Sequence, residues 1–174
     1  MELKGFRIGV EHLAEPYRSL VAKLLDSMLR EWGENPVSLV VFGSVARGDA
    51  RRDSDIDLLI VCRELPRSRL ARQVMFEKVE GMISSDVEDL WRRGYLVDFS
   101  PILLTVEEAR KHRPIYLDMV QDAVIVFDRG SFMERVLSEL AKKLEELGAE
   151  RVWIGKKWYW RLKKDYRFGE VIEL

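Results

Sequence analysis

Asp55 and Asp57 stand one residue apart in an apolar run at residues 54–62, SDIDLLIVC. Such a run reads as a strand. Alternation then sends both carboxylates to one face and Ile56 and Leu58 to the other, into the core. Two carboxylates held side by side repel, and one would be driven to keep its proton. A hard divalent cation removes that conflict by taking oxygen ligands from both, and Mg²⁺ favours one or two carboxylates together with phosphate oxygens and water. Upstream, Gly43-Ser44 follows another apolar run, at residues 37–42. Glycine allows close backbone approach to a phosphate, free N–H groups at a helix start attract anions, and Ser44 adds a hydroxyl donor. Arg47 supplies positive charge toward the phosphates. Gly43 and Gly48 fit the outer glycines of a phosphate loop, but Asp49-Ala50 stands where a Walker loop has Lys-Ser/Thr, which argues against that class.

A third carboxylate, Asp98, falls within residues 95–104, YLVDFSPILL, which reads as an apolar strand where an unpaired charge would be costly. A neighbouring strand could place it beside Asp55 and Asp57. Three carboxylates can hold two metal ions and activate a hydroxyl by taking its proton. Asp86, Asp89 and Asp118 are the alternatives for this third position, though each reads as the solvated face of a helix. Asp49, Asp53, Arg51 and Arg52 read as loop residues. His12 and His112 have neither metal-ligand nor triad spacing, and Cys62 reads as a small buried side chain.

The elements that must position these groups follow from hydrophobic period. Pro16 opens a helix with Leu20, Val21, Leu24, Leu25, Met28, Leu29 and Trp32 on one face, and Gly33 stops it. Strands are expected at residues 37–42, 54–62, 95–104 and 123–127, with Pro101 placing the third at an edge or bulge. Between the second and third, a long helical region starts near Pro66 and Ser68, turns Leu70, Val74, Val79, Met82 and Ile83 inward, and breaks near residues 84–86. Thr105 with Glu108, and Ser131 with Glu134, have the spacing of capping boxes. Pro114 begins another helix, and a last one carries Met133, Val136, Leu137, Leu140, Leu144 and Leu147 up to Gly148. This order predicts an α/β chain of α+β type, with a small mixed, twisted sheet and helices packed against it. The expected division is a domain at residues 1–150 and a basic, aromatic tail at residues 151–174.

Gly43-Ser44, ten residues, then Asp55-Ile56-Asp57 resembles the signature of the nucleotidyltransferase superfamily that includes DNA polymerase beta. Arg47 and Gly48 match its G-S-x-A-R-G form and Ser54 its S-D-x-D form. With Asp98 and the strand order, the resemblance runs over residues 16–148, and the small size looks like that of the minimal archaeal and bacterial members. It implies a polymerase-beta-like fold and transfer of an NMP from ATP or another NTP with release of pyrophosphate. Asp55 and Asp57 would bind two Mg²⁺ (or Mn²⁺) ions, and Asp98 would bind one of them and help deprotonate the acceptor hydroxyl. Gly43, Ser44, Arg47 and Gly48 would hold the triphosphate. In minimal members the acceptor can be a tyrosine of a helical ribonuclease toxin, the enzyme then acting as antitoxin; other relatives modify small molecules.

The 174 residues suffice for one domain with a core and are too few for two full ones. With 47% hydrophobic and 34% charged residues, the composition is globular, and no apolar run nears the roughly 18 residues of a membrane helix. A single cysteine and no signal-peptide pattern point to the cytoplasm. One Asn and two Gln beside abundant Glu, Lys and Arg is a thermophile bias. Net charge is −1, but residues 151–174 hold seven Lys/Arg against three Asp/Glu, or +4, leaving −5 on the rest. The tail, with Trp153, Trp158, Tyr159 and Trp160, allows a second reading: a binding module whose catalysis is dispensable and whose tail takes RNA or a protein partner. The plainer expectation is that these aromatics pack on the body or in a homo-oligomer.

Overall fold

The computed structural model describes residues 5–155, 157–165, 167–172 and 174. In chain order, β1 (Arg7–Ile8) is followed by α1 (Tyr17–Trp32), β2 (Pro36–Phe42), α2 (Gly43–Arg47) and β3 (Ile56–Cys62). Then come α3 (Arg69–Gly81), α4 (Ser84–Arg92), β4 (Phe99–Thr105), α5 (Val106–Arg110) and α6 (Pro114–Asp122). The chain closes with β5 (Val124–Asp128), α7 (Phe132–Glu146) and a hairpin of β6 (Glu150–Ile154) and β7 (Lys157–Arg161).

Five strands form one sheet in the order β1-β5-β2-β3-β4. It is mixed: β2 runs antiparallel to both β3 and β5, while β4 pairs parallel with β3 and β1 parallel with β5. Helices cover both faces, which explains why β3 is a near-continuous apolar run. Leu58 and Ile60 face a core built with Leu24 and Met28 of α1, Phe76 and Val79 of α3 and Leu90 of α4. Leu59 and Val61 face the opposite core, with Met119 of α6 and Met133, Leu137 and Leu140 of α7. The expected α/β architecture with a small mixed sheet is the observed one. No helix among the described residues is long and apolar enough to cross a membrane.

Local signals explain the boundaries. The amide of Gly33, at φ 57°, bonds Leu29 O at 3.1 Å and ends α1. Thr105 and Glu108 form the expected capping box at α5, and Arg72 clamps Glu108 from α3 with bonds of 2.7 and 3.0 Å. Pro101 lies in β4, the edge strand, where its missing N–H breaks no ladder.

Two expectations are corrected, and one stretch gains structure. Leu70, Val74 and Met82 do not face inward: they are 74, 50 and 46% exposed, whereas Val79 and Ile83 are buried as expected and Phe76 joins them. Ser131 does not cap α7. It sits at φ 52° with no capping bond, and the Asp128 carboxylate takes that role by accepting from Met133 N at 3.0 Å and Glu134 N at 2.9 Å. Part of the stretch read as a basic tail is a β-hairpin, its strands paired from Glu150↔Arg161 to Ile154↔Lys157. Short β1 also had no sequence signal; its Ile8 is half exposed.

Candidate active site

The site lies where β2 ends and β3 begins. Phe42, the last residue of β2, pairs with Asp57 of β3. The chain then turns sharply at Gly43 (φ 70°) into α2. Glycine is required there twice over. The backbone is left-handed, and a Cβ would lie 2.2 Å from Asp57 Oδ2. The Gly43 backbone is thus pressed against the Asp57 carboxylate, with Ser44 next to it at the start of α2.

Asp57 is half-buried, and Asp55, just before β3, is exposed. Burial pushes the Asp57 carboxyl above the ordinary carboxylate range. The negative charge of Asp55 pushes it further, and Arg47 pulls it partly back. The three side chains therefore share one electrostatic environment. Arg47 is anchored by its Nε, which donates to Asp49 Oδ2 at 3.2 Å.

Asp98 is not inside a strand, and it is exposed, so the cost of burial has no part in its placement. It immediately precedes β4. Its carbonyl accepts from Ile56 N at 2.8 Å, and Ile56 pairs with Phe99. The parallel register therefore sets Asp98 level with Asp55. Its carboxylate turns back onto its own chain and accepts from Phe99 N at 2.8 Å. Among the described residues, no three His, Cys, Asp or Glu side chains form a ready cation cluster. Asp55 and Asp57 are the pair whose mutual repulsion a divalent ion would relieve, with Asp98 at the adjacent strand entrance.

The alternatives for the third carboxylate lie elsewhere. Asp86 pairs with Lys23, Asp89 with Arg92, and Asp118 holds the hairpin. Gly48 has a backbone reason of its own: at φ 81° it closes α2, its N–H bonding Ser44 O at 3.0 Å. Two neighbours of the site had no motif to reveal them. Glu80 of α3 is raised first by burial and then by the charge of Asp98. Trp158 of β7 lies under the Arg47 guanidinium, 5.1 Å from Cζ to the ring centroid.

The chain is 23% identical over 146 residues to a Methanocaldococcus jannaschii protein named as a candidate protein adenylyltransferase, with 83% of this chain and 92% of that one covered. Two solved structures also align. One, a toxin-antitoxin with AMP-PNP, has a TM-score of 0.44 at 17% identity, covering 73% of this chain and 91% of its own. The other, the mutant toxin-antitoxin MntA-HpeT, has a TM-score of 0.45 at 16% identity, covering 75% and 91%. A profile described as nucleotidyltransferase domain matches residues 21–116, a span that runs from α1 through all three aspartates into α6 and makes up more than half of the chain. The chain belongs to the nucleotidyltransferase domain family.

Proposed function

We propose that this nucleotidyltransferase moves AMP from ATP onto a hydroxyl of a protein acceptor, with Asp55 and Asp57 holding Mg²⁺ or Mn²⁺. The observation that carries the reading is the coupling of the Asp57 and Asp55 carboxylates against the Gly43 backbone and beside Arg47. Two repelling carboxylates next to a fixed cation make a receptor for a metal-bound triphosphate, not an ion pair that satisfies itself. The M. jannaschii relative, named for adenylyl transfer to protein, supports AMP and a protein acceptor. A partner toxin is the acceptor that the resemblance of the sequence favours.

When bound, the ion supplies Lewis acidity at the phosphate oxygens and charge neutralisation. The chain's own groups do the remainder. The amides at Gly43 and Ser44, the Ser44 hydroxyl and the Arg47 guanidinium orient the triphosphate. Asp98, exposed beside Asp55, takes the proton of the incoming hydroxyl. The acceptor oxygen bonds to the α-phosphorus, the bond to the β-phosphate bridging oxygen breaks, and pyrophosphate leaves.

The test is transfer of label from α-labelled ATP, with Mg²⁺, to candidate acceptors, and direct binding of a non-hydrolysable ATP analogue. Asp57→Asn is expected to lose transfer by a factor of at least about 10³. Transfer and metal-dependent nucleotide binding that survive Asp55→Asn/Asp57→Asn would sink the reading.

A further inference from the structure

The hairpin docks on α6 through two carboxylates, Asp118 and Asp122. Asp118 Oδ1 accepts from Trp158 Nε1 at 3.0 Å, Trp160 Nε1 at 3.0 Å and Arg151 Nη2 at 3.3 Å. Arg151 is buried and also donates to Asp122 Oδ2 at 2.9 Å. Cross-strand pairing sets Trp153 beside Trp158, ring centroids 4.9 Å apart, and the Arg151 guanidinium lies 4.8 Å from the Trp158 ring. Trp158 is thereby fixed at its edge by Asp118 and at its sides by Trp153 and Arg151. What this fixed ring then meets is Arg47, at 5.1 Å. Arg47 is also held by Asp49, and its charge reaches Asp57. A hairpin more than a hundred residues along the chain therefore ends against the cation of the nucleotide site.

We propose that the hairpin is a working part of that site, with Trp158 the positioning residue that holds the Arg47 guanidinium for the triphosphate. The inference rests on the triphosphate reading of Arg47 given above. A long arginine side chain loses rotamer freedom when it grips a ligand. A ring already packed under the guanidinium takes up that loss before the ligand arrives, and the π face favours the charge. Trp160 supplies the contrast: it shares the Asp118 anchor but packs against the opposite core, and the cation over its ring is Arg151.

The experiment is a double-mutant cycle on the full chain, read as the Kd of a Mg²⁺-loaded non-hydrolysable ATP analogue and as KM for ATP. Trp158→Leu is expected to raise both about three- to tenfold. Trp158→Phe, which keeps a π face but loses the bond to Asp118, should recover most of that loss. In an Arg47→Gln background, Trp158→Leu should change Kd less than about twofold, because the ring acts through Arg47. Fluorotryptophan incorporation, which weakens the ring quadrupole while keeping its shape, gives the same comparison with and without Arg47 if the Leu variant fails to fold. An equal penalty in both backgrounds, or none in either, overturns the inference and leaves the triphosphate reading standing. No analogue binding by the unsubstituted chain overturns both.

Discussion

The glycines at 43 and 48 look alike in sequence and differ in what surrounds them. Both have positive φ, so alanine at either position is strained by roughly 1 kcal/mol. At Gly48 no atom of the described residues lies within 4 Å of an added Cβ; at Gly43 the added carbon meets Asp57 Oδ2 at 2.2 Å. The Asp57 carboxylate would have to leave its place. Gly43→Ala is thus expected to cost catalysis far more than stability, with transfer falling on the order of 100-fold and unfolding free energy by about 1–2 kcal/mol. Gly48→Ala should lose similar stability and less than tenfold in transfer. Rates and denaturant midpoints measured on the same preparations check both. Equal catalytic losses would show that the two glycines serve the turn alone. The residue scale was also where sequence reading went furthest. Asp-x-Asp at its spacing from Gly43-Ser44 identified the strand junction, because alternation and register are local rules. Trp158 and Glu80 escaped it, since only the fold brings them to Arg47 and Asp98.

At the scale of elements, one expected cap is replaced by a nearby carboxylate and the other gains a partner from a distant helix. Asp128, at the end of β5, accepts from two amides of α7 and from Ser38 Oγ of β2 at 2.6 Å. It therefore ties a helix start to the central sheet. Asp128→Ala should destabilise the fold by about 1–2 kcal/mol, the range of a strong N-cap, whereas Ser131→Ala should cost less than about 0.5 kcal/mol. Chemical denaturation of the two variants separates them. The Thr105 box gains a partner in the same way: Arg72, then the Thr105 amide, hold the Glu108 carboxyl down to about 2. The depressed value means the folded chain binds this proton less readily than the unfolded chain. Its contribution is present above the unfolded value near 4.3 and is lost as pH falls toward 2. Glu108→Gln should flatten the loss of stability between about pH 4.5 and 2, followed by urea midpoints across that window. Periodicity found the four longer strands of the main sheet and the larger helices, because those elements bury an apolar stripe. It misplaced Leu70 and Val74 because apolar spacing alone does not say which turn of α3 meets the core, and Phe76 and Val79 meet it while these two are exposed. It missed the hairpin because its apolar stretches, VWI and WYW, are only three residues each and are set among charged residues.

Over the whole molecule, stability is unevenly distributed. β2 and β3 lie between two cores and are covered on both faces. The hairpin instead leans on one side, through Asp118, Asp122 and the partly buried Trp160 and Leu162. Cys62, at the end of β3, is fully buried, and burial pushes its thiol up to about 12. Two protections therefore act together: a reagent cannot reach the sulfur, and the thiolate that would react is scarce. Opening must expose β3, which has neighbours on both edges and helices on both faces, so the open form that reacts is close to the unfolded chain. When reclosing is fast, the labelling rate measures the population of that form. Modification of Cys62 by a thiol reagent near pH 8 should accordingly be slow in water and rise with denaturant along the slope of global unfolding. Detachment of the hairpin exposes Trp158 and Trp160 without opening the sheet, so tryptophan fluorescence should begin to change at lower denaturant than labelling does. Coincident curves would mean that the hairpin unfolds together with the two cores. An early fluorescence change accompanied by weakened binding of the ATP analogue would place the loss of Arg47 support before the loss of the fold, which ties the hairpin's stability to the site it supports.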